Sequence, residues 1–359
     1  MKIIHTSDLH LDSPLTARLP ADKLRERKRE LLRGFCDLVT EAGRIGATAV
    51  IIAGDLFDSE RVTARTRDTV LDAIAAAANI SFFYLRGNHD GSFDTSTRAI
   101  PKNLYSFEGD GWVGYDLCAG VRIVGHNAPL DSDFSALDGL LREEDVNICV
   151  LHGELRDRGN GGESFGKLAT TGHGIDYLAM GHYHSYSEEQ LDERTVAVYC
   201  GTPEGRGFDE TGEKGYSLIE ISSGKLTHRF VPFAKRRIRE VEVNASGATS
   251  HRDISERAAF ALRSVPVTDI VRLKLVGGIQ PGVWKDTEAL AEEFGSRFYY
   301  FEVKDATRLE IRPEDFIGDR SLKGEFIRTV SAASDLDEET KMRIINCGLH
   351  ALMGEELPI

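Results

Sequence analysis

Five short segments in the first half of the chain, Asp8-Leu9-His10, Gly54 to Asp58, Gly87 to Asp90, Leu151 to Gly153 and Gly181 to His184, carry carboxylates, imidazoles and an amide. These are the groups that hold borderline divalent metals. Asp8 and His10 stand two apart at the end of an apolar run, so both point to one side and offer an oxygen and a nitrogen to one ion. Asp55 can bridge. A carboxylate shared by two cations holds them roughly 3.5 to 4 Å apart, where both stabilise the entering and leaving oxygens of a phosphoryl displacement. Asn88, His152 and His182 complete the second ion's shell, and His184 the first. Gly54, Gly87 and Gly181 allow tight turns where a Cβ would crowd the ions. A lone Asp-x-His is weak evidence for any of this; the ordered set of five is not. His5, His126, His173, His228, His251 and His350 lack such partners and read as structural.

Each segment follows an apolar run: Ile3-Ile4, Ala49 to Ile52, Phe82 to Leu85, Ile148 to Val150 and Tyr177 to Met180. These read as buried strands, which puts every polar cluster at a strand's carboxyl end, where open α/β sheets carry their sites. Ala21 to Arg44 and Thr63 to Ala78 have helical apolar spacing. Short strands are expected at Trp112 to Tyr115, Val121 to Val124, Val196 to Tyr199, Tyr216 to Ile221 and Leu226 to Val231. The expectation for residues 1–233 is an α/β sandwich of four layers, two mixed sheets face to face with helices outside. After the basic run Ala234 to Arg237, residues 234–305 read as a small β-α-β-α-β domain. Residues 306–359 read as a helical segment, with apolar stripes over Leu322 to Ala332 and Glu338 to Leu352.

Bulk properties narrow the partners. The 359 residues are 41% hydrophobic and 28% charged, an ordinary globular composition. No apolar run approaches the ~18 residues of a membrane span, and Met1 to Ile4 enters a strand without a signal-peptide core, so a cytoplasmic protein without membrane contact is expected. Cys36, Cys118, Cys149, Cys200 and Cys347 show no Cys-x-x-Cys spacing and read as reduced thiols. A net charge of −14 argues against a nucleic-acid binder that relies on a basic face. Cations held by the Asp and His ligands would supply positive charge locally.

Asp8-x-His10, Gly54-Asp55-x-x-Asp58, Gly87-Asn88-His89-Asp90, His152 and Gly181-His182-x-His184 together resemble the ordered signature of calcineurin-like metallophosphoesterases. Thr6 to Pro14, Asp176 to His184 and Gly201-Thr202-Pro203-Glu204-Gly205-Arg206 are similar to DNA repair exonucleases of the SbcD and YhaO type, over about Met1 to Pro232. The resemblance implies a metallophosphoesterase sandwich, a small capping domain, and a C-terminal helical segment that docks an SMC-like ATPase of the SbcC or YhaN type. It implies two divalent ions, Mn2+ foremost, and DNA as substrate, cut as an exonuclease on duplexes and an endonuclease on single strands. By the same resemblance His89 faces the substrate as general acid, oriented by Asp58, and the chain forms a homodimer through Ala64 to Ala78 and the stretch after Phe93. Ser13, Arg18, Arg61 and Arg65 lie in loops just past the ligands and are candidate DNA contacts. Two alternatives stand beside this: a small-molecule phosphodiesterase or phosphatase on the same core, and a scaffold subunit without catalysis.

Overall fold

In the computed structural model the described residues are 1–15, 19–58, 62–90, 99–109, 111–127, 134–157, 164–280, 283–310 and 318–353. Arg18, Arg61, the stretch after Phe93 as far as residue 98 and the side chain of His350 lie outside them. The chain divides into two compact units, Met1–Ile238 and Arg239–Ile359.

The first unit opens with β1 (Lys2–Thr6), α1 (Ala21–Arg44), β2 (Ala49–Ala53), α2 (Ala64–Ala76), β3 (Ser81–Leu85) and β4 (Leu104–Ser106). It continues with β5 (Val113–Cys118), β6 (Val121–Gly125), β7 (Val146–His152), β8 (Glu154–Arg156), β9 (Ser164–Gly166) and β10 (Tyr177–Gly181). β11 (Ser187–Gln190), β12 (Val196–Tyr199), β13 (Gly215–Ser222) and β14 (Lys225–Pro232) complete it. Two six-stranded sheets result, in the orders β14-β13-β1-β2-β3-β4 and β11-β12-β10-β7-β6-β5. Both are mixed: β1, β2, β3 and β4 run parallel, β13 lies antiparallel between β1 and β14, and β12, β10, β7 and β6 run parallel between antiparallel β11 and β5.

Alternation along the strands divides the core. Ile3, Ile51 and Phe83 face Ile123, Ile148, Val150 and Ala179 between the sheets, while Ile4, Val50, Ile52 and Phe82 pack with Leu31, Phe35, Leu38, Val70 and Ile74 of the two helices. Phe35, Leu38, Val70 and Ile74 are fully buried, each contributing about 1.5–3 kcal/mol. α1 starts after Pro20, whose φ of −53° suits a helix entry, and stops where Gly46 takes φ 68°. α2 starts at Thr63, whose side chain accepts from the Thr66 N–H at 3.1 Å. The outer face of the second sheet is covered, among the described residues, by two 3₁₀ turns, Phe134–Gly139 and Lys167–Thr170, with Phe134 and Leu137 buried against Cys149, Leu178 and Met180. Lys235 and Arg236 of the basic run pair with Glu30 of α1 and so belong with this unit.

The second unit contains β15 (Ile238–Asn244), α3 (His251–Leu262), β16 (Ile270–Ile279), α4 (Thr287–Gly295) and β17 (Tyr300–Leu309), the expected β-α-β-α-β order. Its sheet runs β15-β16-β17 over a core of Ile254, Leu262, Leu273, Leu275 and Phe294. α5 (Leu322–Ser331) and α6 (Glu338–Met353) meet through Ile327, Ile345 and Leu349. No helix among the described residues is long and apolar enough to cross a membrane.

Candidate metal centre

The turns after β1, β2, β3, β7 and β10 converge at one end of the paired sheets. His152 is the last residue of β7 and lies beside Gly181, the last residue of β10, so His182 follows directly. Asp8 N–H donates to the Gly54 carbonyl at 3.0 Å and His10 N–H to the Asp55 carbonyl at 2.8 Å, binding the first two turns together. The sheets must also approach closely. A Cβ on Gly181 would sit 1.8 Å from the Ala53 carbonyl, and one on Gly87 2.2 Å from Asp55 Oδ1. Asp8, His10, Asp55 and His182 adopt φ of 54°, 41°, 53° and 107°, a left-handed backbone that non-glycine residues occupy only where the surroundings enforce it.

Three groups of ligand atoms lie within 4.8 Å of one another: Asp8, His10 and His184; His10, Asp55 and His89; Asp8, Asp55 and His152. Asp55 Oδ2 is 3.4 Å from His10 Nε2 and 3.3 Å from His152 Nε2, and Asp8 Oδ1 is 3.9 Å from His184 Nε2. Asn88 Oδ1 stands 3.0 Å from His152 Nε2. The His182 ring is edge-on to His152 at 5.5 Å, and the His182 backbone N–H donates to both Asp8 oxygens at 3.0 and 3.1 Å. His89 donates its backbone N–H to Asp55 Oδ1 at 2.9 Å and sets its exposed ring edge-on to His10 at 4.8 Å.

The electrostatics are those of a site built for cations. Burial pushes Asp8 up to about 6 against the opposing pull of His152 and Ser7. Burial acts the same way on Asp55, but its hydrogen bond and charge interaction with His152, aided by His10, hold it at about 2. Burial and the Arg206 charge press His10 down to about 3, so its ring is neutral. Burial would lower His152 too, yet Asp55 and Asp8 raise it to about 9. His10 Nε2 is buried and makes no hydrogen bond. That nitrogen stands 3.4 Å from Asp55 Oδ2, and a neutral ring in that position fits a divalent cation held between imidazole and carboxylate. His152 Nδ1, 2.9 Å from the Ala53 carbonyl, is the ring's donor there, which directs Nε2 at Asp55 and Asn88.

A cavity of about 370 Å³ opens over these groups, lined by His10, Ser13, Pro14, Asp55, Asp58, Asn88, His89, His182, His184 and Arg206. Ser13 Oγ is buried there without a hydrogen bond. Asp58 and His89 share the cavity wall, but no hydrogen bond joins them among the described residues. Arg65 is exposed in the first turn of α2 and does not line the cavity.

Four residues matter to which the sequence reading gave no individual role. Asp90 accepts from the N–H groups of Leu56, Phe57 and Gly87 at 3.2, 2.8 and 3.0 Å, stitching the second turn to the third. Ser7 Oγ donates to Asp8 Oδ2 at 2.5 Å. Glu210 reaches His184 Nδ1 at 2.8 Å, and Arg206 grips Glu210. Burial opposes the charge on Glu210, but the hydrogen bonds from His184 and Arg206 bring it to about 2. Asp90 could have been found from its place in the third cluster; the pairing of Glu210 with His184 has no signal in sequence spacing.

Comparison with known proteins adds names to this geometry. The calcineurin-like phosphoesterase family pattern matches residues 1–186. The metallophosphoesterase YhaO of Bacillus subtilis is 25% identical over 248 residues, covering 64% of this chain and 60% of its own. The DNA double-strand break repair protein Mre11 of Methanosarcina acetivorans is 24% identical over 244 residues, covering 65% of this chain and 39% of its own. The SbcD component of the nuclease SbcCD from Staphylococcus saprophyticus is 25% identical over 281 residues, covering 68% of this chain and 71% of its own. The match thus spans less than two thirds of the first two relatives' length.

Proposed function

Because this chain belongs to the calcineurin-like phosphoesterase family, we propose that it is a metal-dependent DNA phosphodiesterase of repair, an exonuclease on duplexes that also cuts single strands. The observation that carries the reading is the unpaired, buried Nε2 of His10 between two buried carboxylates, Asp8 and Asp55, with His152 and His184 alongside. DNA as the polymer is supported by the relatives, whose names include a double-strand break repair protein and a component of a nuclease.

On this reading Asp8, His10 and His184 would hold one cation and Asn88, His152 and His182 the other, with Asp55 available to both. Two divalent ions, Mn2+ by our assignment, would polarise the scissile phosphodiester and acidify the attacking water. The chain's own groups do the rest. His89 stands on the exposed side of the cavity, where its ring can give a proton to the departing 3′-oxygen. Asp58, on the same wall, is the carboxylate we assign to orient it. The buried Ser13 hydroxyl offers a hydrogen bond to a phosphate oxygen. Residues 1–233, with the basic run to Ile238 that pairs with Glu30, form the nuclease domain, the remainder of 234–305 the capping domain, and 306–359 the segment that docks an SMC-like ATPase. The chain acts as a homodimer.

Purified protein incubated in Mn2+ with end-labelled duplex, single-stranded DNA and bis-p-nitrophenyl phosphate tests this. Ladders from both DNAs are expected, lost in Asp55→Asn and His89→Gln. Turnover of the small ester with intact DNA would overturn the nuclease reading in favour of a small-molecule phosphodiesterase, and no turnover of either would favour a scaffold.

A further inference from the structure

Arg206 lines the cavity over the metal centre, yet the candidate ligand cage does not use it. It reaches the cavity from the loop between β12 and β13, with its side chain 12% exposed. One edge of its guanidinium is occupied. Nε and Nη2 donate to Glu210 Oε1 at 2.9 and 2.5 Å, and the Arg206 backbone N–H donates to Oε2 at 2.7 Å. Nη2 also stands 3.0 Å from His184 Nδ1, which sets the group against the cage. Nη1 makes no hydrogen bond among the described residues, and Glu210 is the only ion-pair partner of Arg206 among them.

Resting on the two-cation reading above, we propose that Arg206 is a substrate-binding residue: its two Nη1 N–H groups hold a non-bridging oxygen of the phosphodiester that lies at the cations. A guanidinium carries five N–H donors and no acceptor, so the pair left over can meet only an oxygen from outside the protein. Its planar donors match the oxygens of a phosphate. Ser13 brings a second unused donor into the same cavity, its buried Oγ having no hydrogen bond. Glu210 makes the arrangement compatible with the ions. An unneutralised guanidinium would repel cations held beside His184. The buried Glu210 carboxylate offsets that charge, so Arg206 offers directed hydrogen bonds while adding little positive field.

The loop that carries Arg206 is anchored to the core. The buried Arg27 of α1 donates to the Glu204 carboxylate at 2.6 Å and to the Gly205 carbonyl at 2.9 Å, next to Arg206. Glu204 Oε1 accepts the Lys235 backbone N–H at 2.7 Å. Held at its backbone and along one edge of its fork, Arg206 gives up little side-chain freedom when a phosphate arrives.

Two readouts on the full-length protein separate this role from one of bracing the cage. Mn2+ binding is followed by electron paramagnetic resonance, and binding of thymidine 5′-monophosphate at saturating Mn2+ by calorimetry. Wild type and Arg206→Gln should both hold two Mn2+, while the nucleotide binds about 10- to 100-fold more weakly to Arg206→Gln. Arg206→Lys should recover part of that loss, since an ammonium keeps the charge without the fork. Equal nucleotide affinity in wild type and an Arg206→Gln that holds both ions would overturn the proposal. An Arg206→Gln that has lost an ion would overturn it too, in favour of bracing. A wild type that binds no Mn2+ would instead refute the two-cation reading, and this proposal with it.

Discussion

Acid should dismantle one identifiable ion network in the first unit. Glu30 of α1 accepts from Arg27 Nη1 at 3.1 Å, from Arg236 Nε and Nη2 at 2.9 and 2.7 Å, and pairs with Lys235 Nζ at 2.9 Å. Burial alone would raise its pKa; the hydrogen bonds from Arg236, Lys235 and Arg27 prevail and hold it at about 2, against an ordinary 4.5. The folded form therefore favours the ionised carboxylate. Its contribution to stability is complete above pH 4.5 and disappears as pH falls from there toward 2. A drop from 4.5 to about 2 corresponds to roughly 3 kcal/mol. Lys235 is 53% exposed and partly screened, which reduces the figure to about 2 kcal/mol. In Glu30→Gln the cations lose their shared counter-charge, so at pH 7 the variant should unfold at lower urea, less stable by about 2–4 kcal/mol. Trp284→Phe makes Trp112 of the first unit the only tryptophan, and its fluorescence then reports that unit. Urea curves from pH 7 to pH 3.5 should show a constant gap between wild type and Glu30→Gln down to about pH 5, then a narrowing. A gap that closes between pH 7 and 6, or stays constant at pH 3.5, would refute the argument.

Removing divalent metal with a chelator should lower the melting temperature of the wild type, since a site saturated at 100 times Kd adds about 2.7 kcal/mol; Asp55→Asn should melt alike with and without Mn2+ in differential scanning fluorimetry. His89→Gln should keep two bound Mn2+ while cleavage falls by about 10²- to 10⁴-fold; loss of an ion would make His89 a ligand, as its place beside His10 and Asp55 permits. Gly87→Ala should cost about 1–3 kcal/mol and weaken Mn2+ binding, because its Cβ would lie 2.2 Å from Asp55 Oδ1; unaltered binding by titration would show that this turn can yield. Deleting residues 306–359 should abolish co-purification of an ATPase partner and spare hydrolysis of bis-p-nitrophenyl phosphate.

The elements that carry the candidate ligands were legible because their signals are local. Ile51 and Val150 sit in apolar runs that only a buried strand explains, and each run ends where a polar cluster begins. Ala21–Arg44 was readable in full from its apolar spacing. Ser187–Gln190 was not, because its four exposed polar residues become a strand only by pairing with Val196–Tyr199 at a sheet edge. The 3₁₀ turns over the second sheet were likewise unreadable, being too short to show a period.

The sequence by itself determined which side chains can bind cations and that each follows a strand, since residue chemistry and strand periodicity need only neighbours along the chain. Only the tertiary structure decided which of them meet. Packing the two sheets brings His152 to Asp55, the left-handed turns aim Asp8 and His10 inward, and a returning loop sets Glu210 against His184. Such meetings depend on how separately formed layers stack, and no spacing within one segment encodes that distance.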